Sequence, residues 1–315
     1  MLTEKKCKNK VVVILGPNAS GKSDIAIRLA KDFNGEIISA DSRQVYRGMD
    51  IGSGKVKGYI IKDGKFTVYV SDGVPHYMIS IVSPKTDFNV AKYKRMAFEA
   101  LKHIISKKKI PIICGGTGFW IKSIVDDLPI PRVKPDWKLR KKLSILPCEK
   151  LYDILKKKDP ERTKDIDKFN KIRLIRAIEI CEKIGKVPKI INSKREKLDF
   201  LQIGIKWPKE VLHERIKKRL QDRLKKGMIE EVYNLHKSGV TWKRLESFGL
   251  EYRWVSKYIK GEITKKDMFE KLYLEIKHYA KRQMTWFKRD NRIIWLNSYT
   301  DIFNIVKNFL KVENS

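Results

Sequence analysis

The eight residues Gly16, Pro17, Asn18, Ala19, Ser20, Gly21, Lys22 and Ser23 fit the pattern G-x-x-x-x-G-K-[ST] in full. They follow a five-residue apolar run (11–15) and precede an amphipathic helical pattern (23–33). This placement restricts the fold, because such a loop works where a buried strand hands the chain to a helix N-terminus. The glycines let the backbone wrap so that successive N–H groups point inward at phosphate oxygens. The helix adds the positive end of its dipole. Lys22 brings a full charge to the terminal phosphates, and the Ser23 hydroxyl is the expected ligand of Mg²⁺. The eight residues are therefore expected to grip a di- or triphosphate, without saying which.

Apolar runs at 11–15, 36–40, 110–114, 200–205 and 293–296 read as strands, with helical patterns between them. That alternation predicts an α/β fold, a phosphate-loop NTPase-like parallel sheet flanked by helices. Two β-type runs around Asp63-Gly64 read as a hairpin inserted at 57–75. From Pro131 to about Lys197 the chain is helical and breaks the alternation. The expected organisation is a core of 1–131 and 197–315, with a helical subdomain inserted at 132–196. Residues 194–197, a run of charge, mark its exit. In the helix 211–227, Leu212, Ile216, Leu220 and Leu224 form an apolar stripe, beside a ridge of Arg215, Arg219 and Arg223.

Seventy Lys+Arg against 37 Asp+Glu give a net charge of +33 over 315 residues. Because arginine also clusters, a nucleic-acid partner is favoured over mere lysine richness. Cys7, Cys114, Cys148 and Cys181 are scattered with no C-x-x-C, which argues against a zinc site and for a reducing compartment. With no visible signal peptide or membrane span, the cytoplasm is expected, with no membrane partner.

ATPases and GTPases of this type carry a second acid for Mg²⁺ at a strand end. The run 110–114 instead enters Gly115-Gly116-Thr117-Gly118, without an acid. The acid appears after the second strand, as Asp41-Ser42, in the crevice where open α/β sheets bind ligands. There it either orients or deprotonates an acceptor, or simply forms a turn.

The phosphate loop, the block Asp41-Ser42-Arg43-Gln44-Val45-Tyr46-Arg47-Gly48-Met49-Asp50-Ile51-Gly52, Gly115-Gly116-Thr117 and the segment 281–288 occur in this order. Together they closely resemble the tRNA dimethylallyltransferases, over about residues 11–296. The resemblance implies that the loop holds the diphosphate of dimethylallyl diphosphate. It also implies transfer of the five-carbon group to the exocyclic amine of the adenine just 3′ of the anticodon. Partners would be the anticodon stem-loop of tRNA and the prenyl donor, the cofactor Mg²⁺, and the enzyme a monomer.

Roles carried over by the resemblance are these. Asp41 would accept a hydrogen bond from the adenine amine, worth about a hundred- to ten-thousandfold. Arg219 would clamp the diphosphate beside Lys22, and Thr117 would lie near the substrate tRNA. Ser42, Arg43 and Gln44 would contact the target base or its neighbours. Further tRNA contacts would come from Arg140, from Ile172, Arg173, Leu174, Ile175 and Arg176, and from Phe248, Gly249, Leu250, Glu251, Tyr252 and Arg253. The last set is Lys281, Arg282, Gln283, Met284, Thr285, Trp286, Phe287 and Lys288, where Met284, like Cys181, also reads as packing.

The sequence departs from the family pattern in two places. The link after the Asp41–Gly52 block is longer, and Ser80 stands where an acid is common. Glu251 replaces a more usual glycine before Tyr252, which unsettles the expected tRNA contacts there. No zinc-finger tail of the kind found in eukaryotic relatives is present, so a bacterial-type enzyme is expected. Competing readings are an isopentenyltransferase acting on free AMP, ADP or ATP, a small-molecule kinase, and an RNA-binding protein with a dead loop. The helical insert, the basic surface and the intact Lys22, Ser23, Asp41 and Arg219 favour the tRNA enzyme.

Overall fold

A computed structural model describes residues 9–188 and 198–311. Cys7 and the charged exit at 194–197 lie outside them. Contacts divide the chain into two compact units, Met1–Val125 with Arg195–Ser315, and Asp126–Lys194.

The first unit is built on an eight-stranded sheet. Its strands are β1 (Asn9–Leu15), β2 (Gly35–Ser39), β3 (Tyr59–Asp63), β4 (Phe66–Ser71), β5 (Val74–Tyr77), β6 (Ile110–Gly115), β7 (Leu198–Ile205) and β8 (Ile294–Leu296). Their order is β3-β4-β5-β2-β6-β1-β7-β8. The block from β5 to β8 is parallel throughout. β3, β4 and β5 form an antiparallel meander at one edge. The hairpin of the sequence reading is thus part of the main sheet. Its missed third strand, β5, is four residues long, contains Pro75, and pairs Ile37 with His76. A proline in so short a run reads as a terminator, which is why the pattern hid it.

The central strands are apolar on both faces, as a sheet covered by helices requires. Val11, Val13 and Leu15 of β1 face a core shared with α2 (Val90–Ser106), α3 (Gly118–Val125), α8 (Lys209–Lys225) and α12 (Lys265–Phe287). Val12 and Ile14 face α1 (Lys22–Asp32) and α13 (Tyr299–Lys311). The expected stripe of α8 is buried at Leu212, Ile216 and Leu220. That packing fixes which way the arginine ridge points. Between α8 and α12 lie α9 (Met228–Lys237), α10 (Trp242–Ser247) and α11 (Leu250–Ile259).

The second unit packs α4 (Trp137–Ser144), α5 (Cys148–Lys158), α6 (Pro160–Asp165) and α7 (Lys171–Ile184) around its own core, centred on Leu151, Leu155, Leu174 and Ile178. Three of these four helix entries carry a side-chain cap. Asp136, Asp159 and Asn170 accept from backbone amides at the starts of α4, α6 and α7.

Candidate active site

The parallel strands all deliver their carboxyl ends to the same rim. β1 runs into the phosphate loop, flanked by β6 on one side and β7 on the other. Gly21 takes φ +87° at the N-cap of α1, a conformation that favours glycine, and no side chain caps the helix there. The first-turn amides of α1 are thereby left for an anion.

Four side chains brace the loop, three from helices and one from the link after β7. Lys22 is buried and donates back to the Pro17 carbonyl at 3.2 Å. Gln283 of α12 accepts from the Asn18 amide at 2.9 Å and donates to the Gly116 carbonyl at 2.8 Å. Trp207, just past β7, donates its indole N–H to the Ser20 carbonyl at 2.9 Å. Arg215 donates Nε to the Ala19 carbonyl at 2.8 Å and lies over the Trp207 ring. Burial pushes the Lys22 ammonium below its usual range, and the charge of Arg219 adds to that, while Asp41 opposes it. A diphosphate arriving here would favour the charged form by supplying counter-charge.

The arginine ridge of α8 faces the loop across a cavity of about 390 Å³. Its walls include Lys22, Ser23, Asp24, Gly54, Lys55, Arg215, Arg219 and Asp222. Arg219 donates to the Gly54 carbonyl at 3.1 Å, and Arg223 to the Gly52 carbonyl at 3.2 Å. Burial and the neighbouring Arg223 lower the Arg219 guanidinium to about 10. Gly54 has φ +67°, and a Cβ there would fall 1.8 Å from Arg223 Nη2. The loop after the Asp41–Gly52 block therefore lies directly on the ridge.

Asp41 lies two residues beyond the end of β2. Its Oδ1 accepts from the Arg43 amide at 3.0 Å, a local turn that fixes the carboxylate. Thr117 pins the same loop by accepting from the Ser42 amide at 3.1 Å. Gln44 joins the rim through Ser39 and Gly54. Asp41 is close enough to Lys22, Arg219 and Arg43 for its charge to act on all three. Cys114, under the loop, is inert by comparison, since burial pushes its thiol up to about 12.

Fit to a metal ion can be judged from the donors present. Ser23, Asp24 and Asp222 share the cavity wall, which offers a hydroxyl and carboxylates, the hard oxygens Mg²⁺ takes. Among the described residues no group of three or more His, Cys, Asp or Glu side chains is placed to hold a metal.

The structure thus brings residues 16–23, 41–44, Thr117, Arg219, Glu251 and Gln283 to one rim. Other sequence-predicted residues divide by exposure. Lys281, Arg282, Thr285 and Lys288 lie on the exposed face of α12, while Gln283 and Phe287 are buried and Met284 and Trp286 half-buried. Leu250 and Tyr252 are core residues, and Phe248, Gly249 and Arg253 are half-buried. Ile172 and Arg173 are exposed on the second unit, but Leu174 and Ile175 belong to its core. Arg140 and Arg176 both bind the buried carboxylate of Glu179.

Sequence reasoning missed Glu231, Lys55, Asp222 and Trp207. Glu231 accepts from the amides of Asp50, Ile51 and Gly52 and from the Tyr252 hydroxyl, and so shapes the loop under the ridge. Its only sequence signal was an acid in the first turn of a helix, which is ordinary.

The IPP transferase family model matches residues 44–290. A relative, tRNA dimethylallyltransferase 1 of Syntrophus aciditrophicus, is 40% identical over 305 residues, covering 96% of this chain and 97% of its own. The tRNA dimethylallyltransferase of Acetivibrio thermocellus is 38% identical, covering 92% of both chains. The solved full-length tRNA isopentenylpyrophosphate transferase of Bacillus halodurans has a TM-score of 0.70 at 30% identity, covering 96% of this chain and 97% of its own. A eukaryotic dimethylallyltransferase acting on tRNA shares the fold, with a TM-score of 0.78 at 24% identity and coverage of 96% and 80%. The chain belongs to the IPP transferase family, the family of the tRNA dimethylallyltransferases.

Proposed function

We propose that this chain transfers the dimethylallyl group of dimethylallyl diphosphate to the exocyclic amine of the adenine next to the anticodon in tRNA, releasing diphosphate. One observation carries the reading: the phosphate loop and Arg219 face each other across one cavity, and Asp41 acts on both from the acceptor side.

In the reaction the allylic carbon–oxygen bond breaks, a carbon–nitrogen bond forms, and the amine loses a proton. Negative charge grows on the departing diphosphate, so fixed cations aimed at it lower the barrier most. Lys22, Arg219 and the α1 amides supply that field. Asp41, with Oδ1 held by the Arg43 amide, offers its other oxygen to the amine proton. Mg²⁺ anchored at Ser23 would further neutralise the diphosphate when bound.

The target base must leave its stack to reach Asp41. The exposed face of α12, with Lys281, Arg282, Thr285 and Lys288, suits the RNA backbone. Arg140 and the exposed part of 172–176 are proposed to meet the same RNA. Among the described residues no helix is long and apolar enough to cross a membrane. We place the enzyme in the cytoplasm, as a monomer.

The test incubates the protein with labelled dimethylallyl diphosphate and either unmodified tRNA, AMP or ATP. Label should enter tRNA alone. Transfer to AMP with none to tRNA overturns the reading.

A further inference from the structure

Glu251 sits in the first turn of α11 with only 1% of its surface exposed. Each of its oxygens holds a different arginine. Oε2 accepts from Arg43 Nη1 at 2.8 Å, and Oε1 from Arg223 Nη1 at 2.7 Å. The two arginines come from opposite halves of the site. Arg43 follows Asp41, and its amide fixes that carboxylate at 3.0 Å. Arg223 lies one turn beyond Arg219 on the ridge and binds the Gly52 carbonyl, while Arg219 binds that of Gly54.

A carboxylate this deeply buried is costly unless fully paired, and two charge-assisted bonds provide the pairing. The triad carries a net positive charge next to Lys22 and Arg219, so it does not neutralise the site for its own sake. Its geometry does something else: it fixes two flexible cations in set positions, one toward the donor and one toward the acceptor. Burial also keeps Glu251 from touching RNA, which changes the role suggested by its position in the 248–253 segment.

We infer that Glu251 is a positioning residue that links the two half-sites, holding Arg223 against the diphosphate side and Arg43 beside Asp41. This rests on the proposed donor and acceptor assignments. Arg223 then contributes to donor binding, and Arg43 to the reaction of bound substrates. Loss of the carboxylate frees both guanidinium groups at once.

Steady-state and single-turnover transfer to unmodified tRNA tests this with Arg43→Met, Arg223→Met, Glu251→Gln and the three combined. Arg223→Met should raise the KM for dimethylallyl diphosphate tenfold or more, with the saturating rate within threefold. Arg43→Met should lower the saturating rate tenfold or more, with donor KM within threefold. Glu251→Gln should do both, and adding it to the double arginine variant should change nothing beyond twofold. Normal kinetics in Glu251→Gln overturn the inference. So does a Glu251→Gln effect that multiplies with the arginine variants, the signature of a general structural role. If Glu251→Gln fails to fold, the arginine variants still decide, since the opposite division of KM and rate between them excludes the link. Calorimetric binding of inorganic diphosphate reads the Arg223 arm without transfer. Weaker binding in both Arg223→Met and Glu251→Gln is required even if wild-type protein fails to prenylate tRNA.

Discussion

The carboxamide of Gln283 accepts a hydrogen bond from the backbone amide of Asn18 at 2.9 Å across 265 residues of sequence. Its nitrogen donates at 2.8 Å to Gly116, on the neighbouring strand end. One buried side chain on α12 thus ties the phosphate loop to the loop that follows β6, and so couples the exposed basic face of that helix to the proposed donor site. Gln283→Ala should raise the KM for dimethylallyl diphosphate about thirtyfold. That is the scale of losing two hydrogen bonds worth about 1 kcal/mol each and leaving polar groups unpaired. Transfer kinetics with varied donor measure this, and an unchanged donor KM would show that the loop holds its shape alone.

Asp41→Asn separates charge from geometry. The asparagine carbonyl can still accept from the Arg43 amide, so the turn survives. What is lost is the anion proposed to face the amine. The single-turnover rate should fall about a hundred- to ten-thousandfold, while tRNA affinity stays within threefold. Binding by fluorescence anisotropy and transfer by label incorporation give the two numbers.

Gly54→Ala tests how tightly the loop lies on the ridge. The new Cβ would fall 1.8 Å from Arg223 Nη2 and 2.4 Å from Arg219 Nη2, at a backbone φ of +67°. Both the strain and the clash push the arginines off their carbonyls. The catalytic efficiency with dimethylallyl diphosphate should drop at least a hundredfold, because both arginines are displaced. Binding of the tRNA alone should hardly change, which filter binding without donor would verify.

The net charge of +33 predicts a steep salt response of tRNA binding. Neutralising roughly six to ten phosphates implies a loss of about a thousandfold or more between low and moderate salt. A flat response of the dissociation constant to salt would mean that the lysine excess lies away from the RNA.

The features legible in the sequence were those with local signatures. The phosphate loop carries its own spacing, β1 its apolar run, and α8 its two stripes, so the fold class and two walls of the cavity were legible. Long-range polar bridges did not. Glu251 and Glu231 look like any acid in a helix's first turn, and their partners lie 208 and 181 residues away in sequence. Nothing short of tertiary structure distinguishes a buried bridging carboxylate from a solvated one. The same applies to Leu174 and Tyr252, whose placement in motif segments suggested contact with RNA but whose side chains fill cores.

The second unit carries its own version of a buried bridging acid, and this one is open to a pH test. Glu179 of α7 is fully buried. Burial alone would push its carboxyl up. Hydrogen bonds from Arg140, from the Asp136 amide and from Arg176 outweigh this and hold it at about 2. A folded-state value below the unfolded one of about 4.3 means that the network stabilises the fold fully above that value. The contribution, on the order of 3 kcal/mol, is lost as pH falls from about 4.5 toward 2. Amide hydrogen exchange on the full chain should therefore show protection of α4 and α7 collapsing in that window. Glu179→Gln should show lowered protection already at neutral pH and little further change on acidification. The same variant frees Arg140 and Arg176 from their anchor, so prenylation of tRNA should weaken through the KM for tRNA while the donor KM holds.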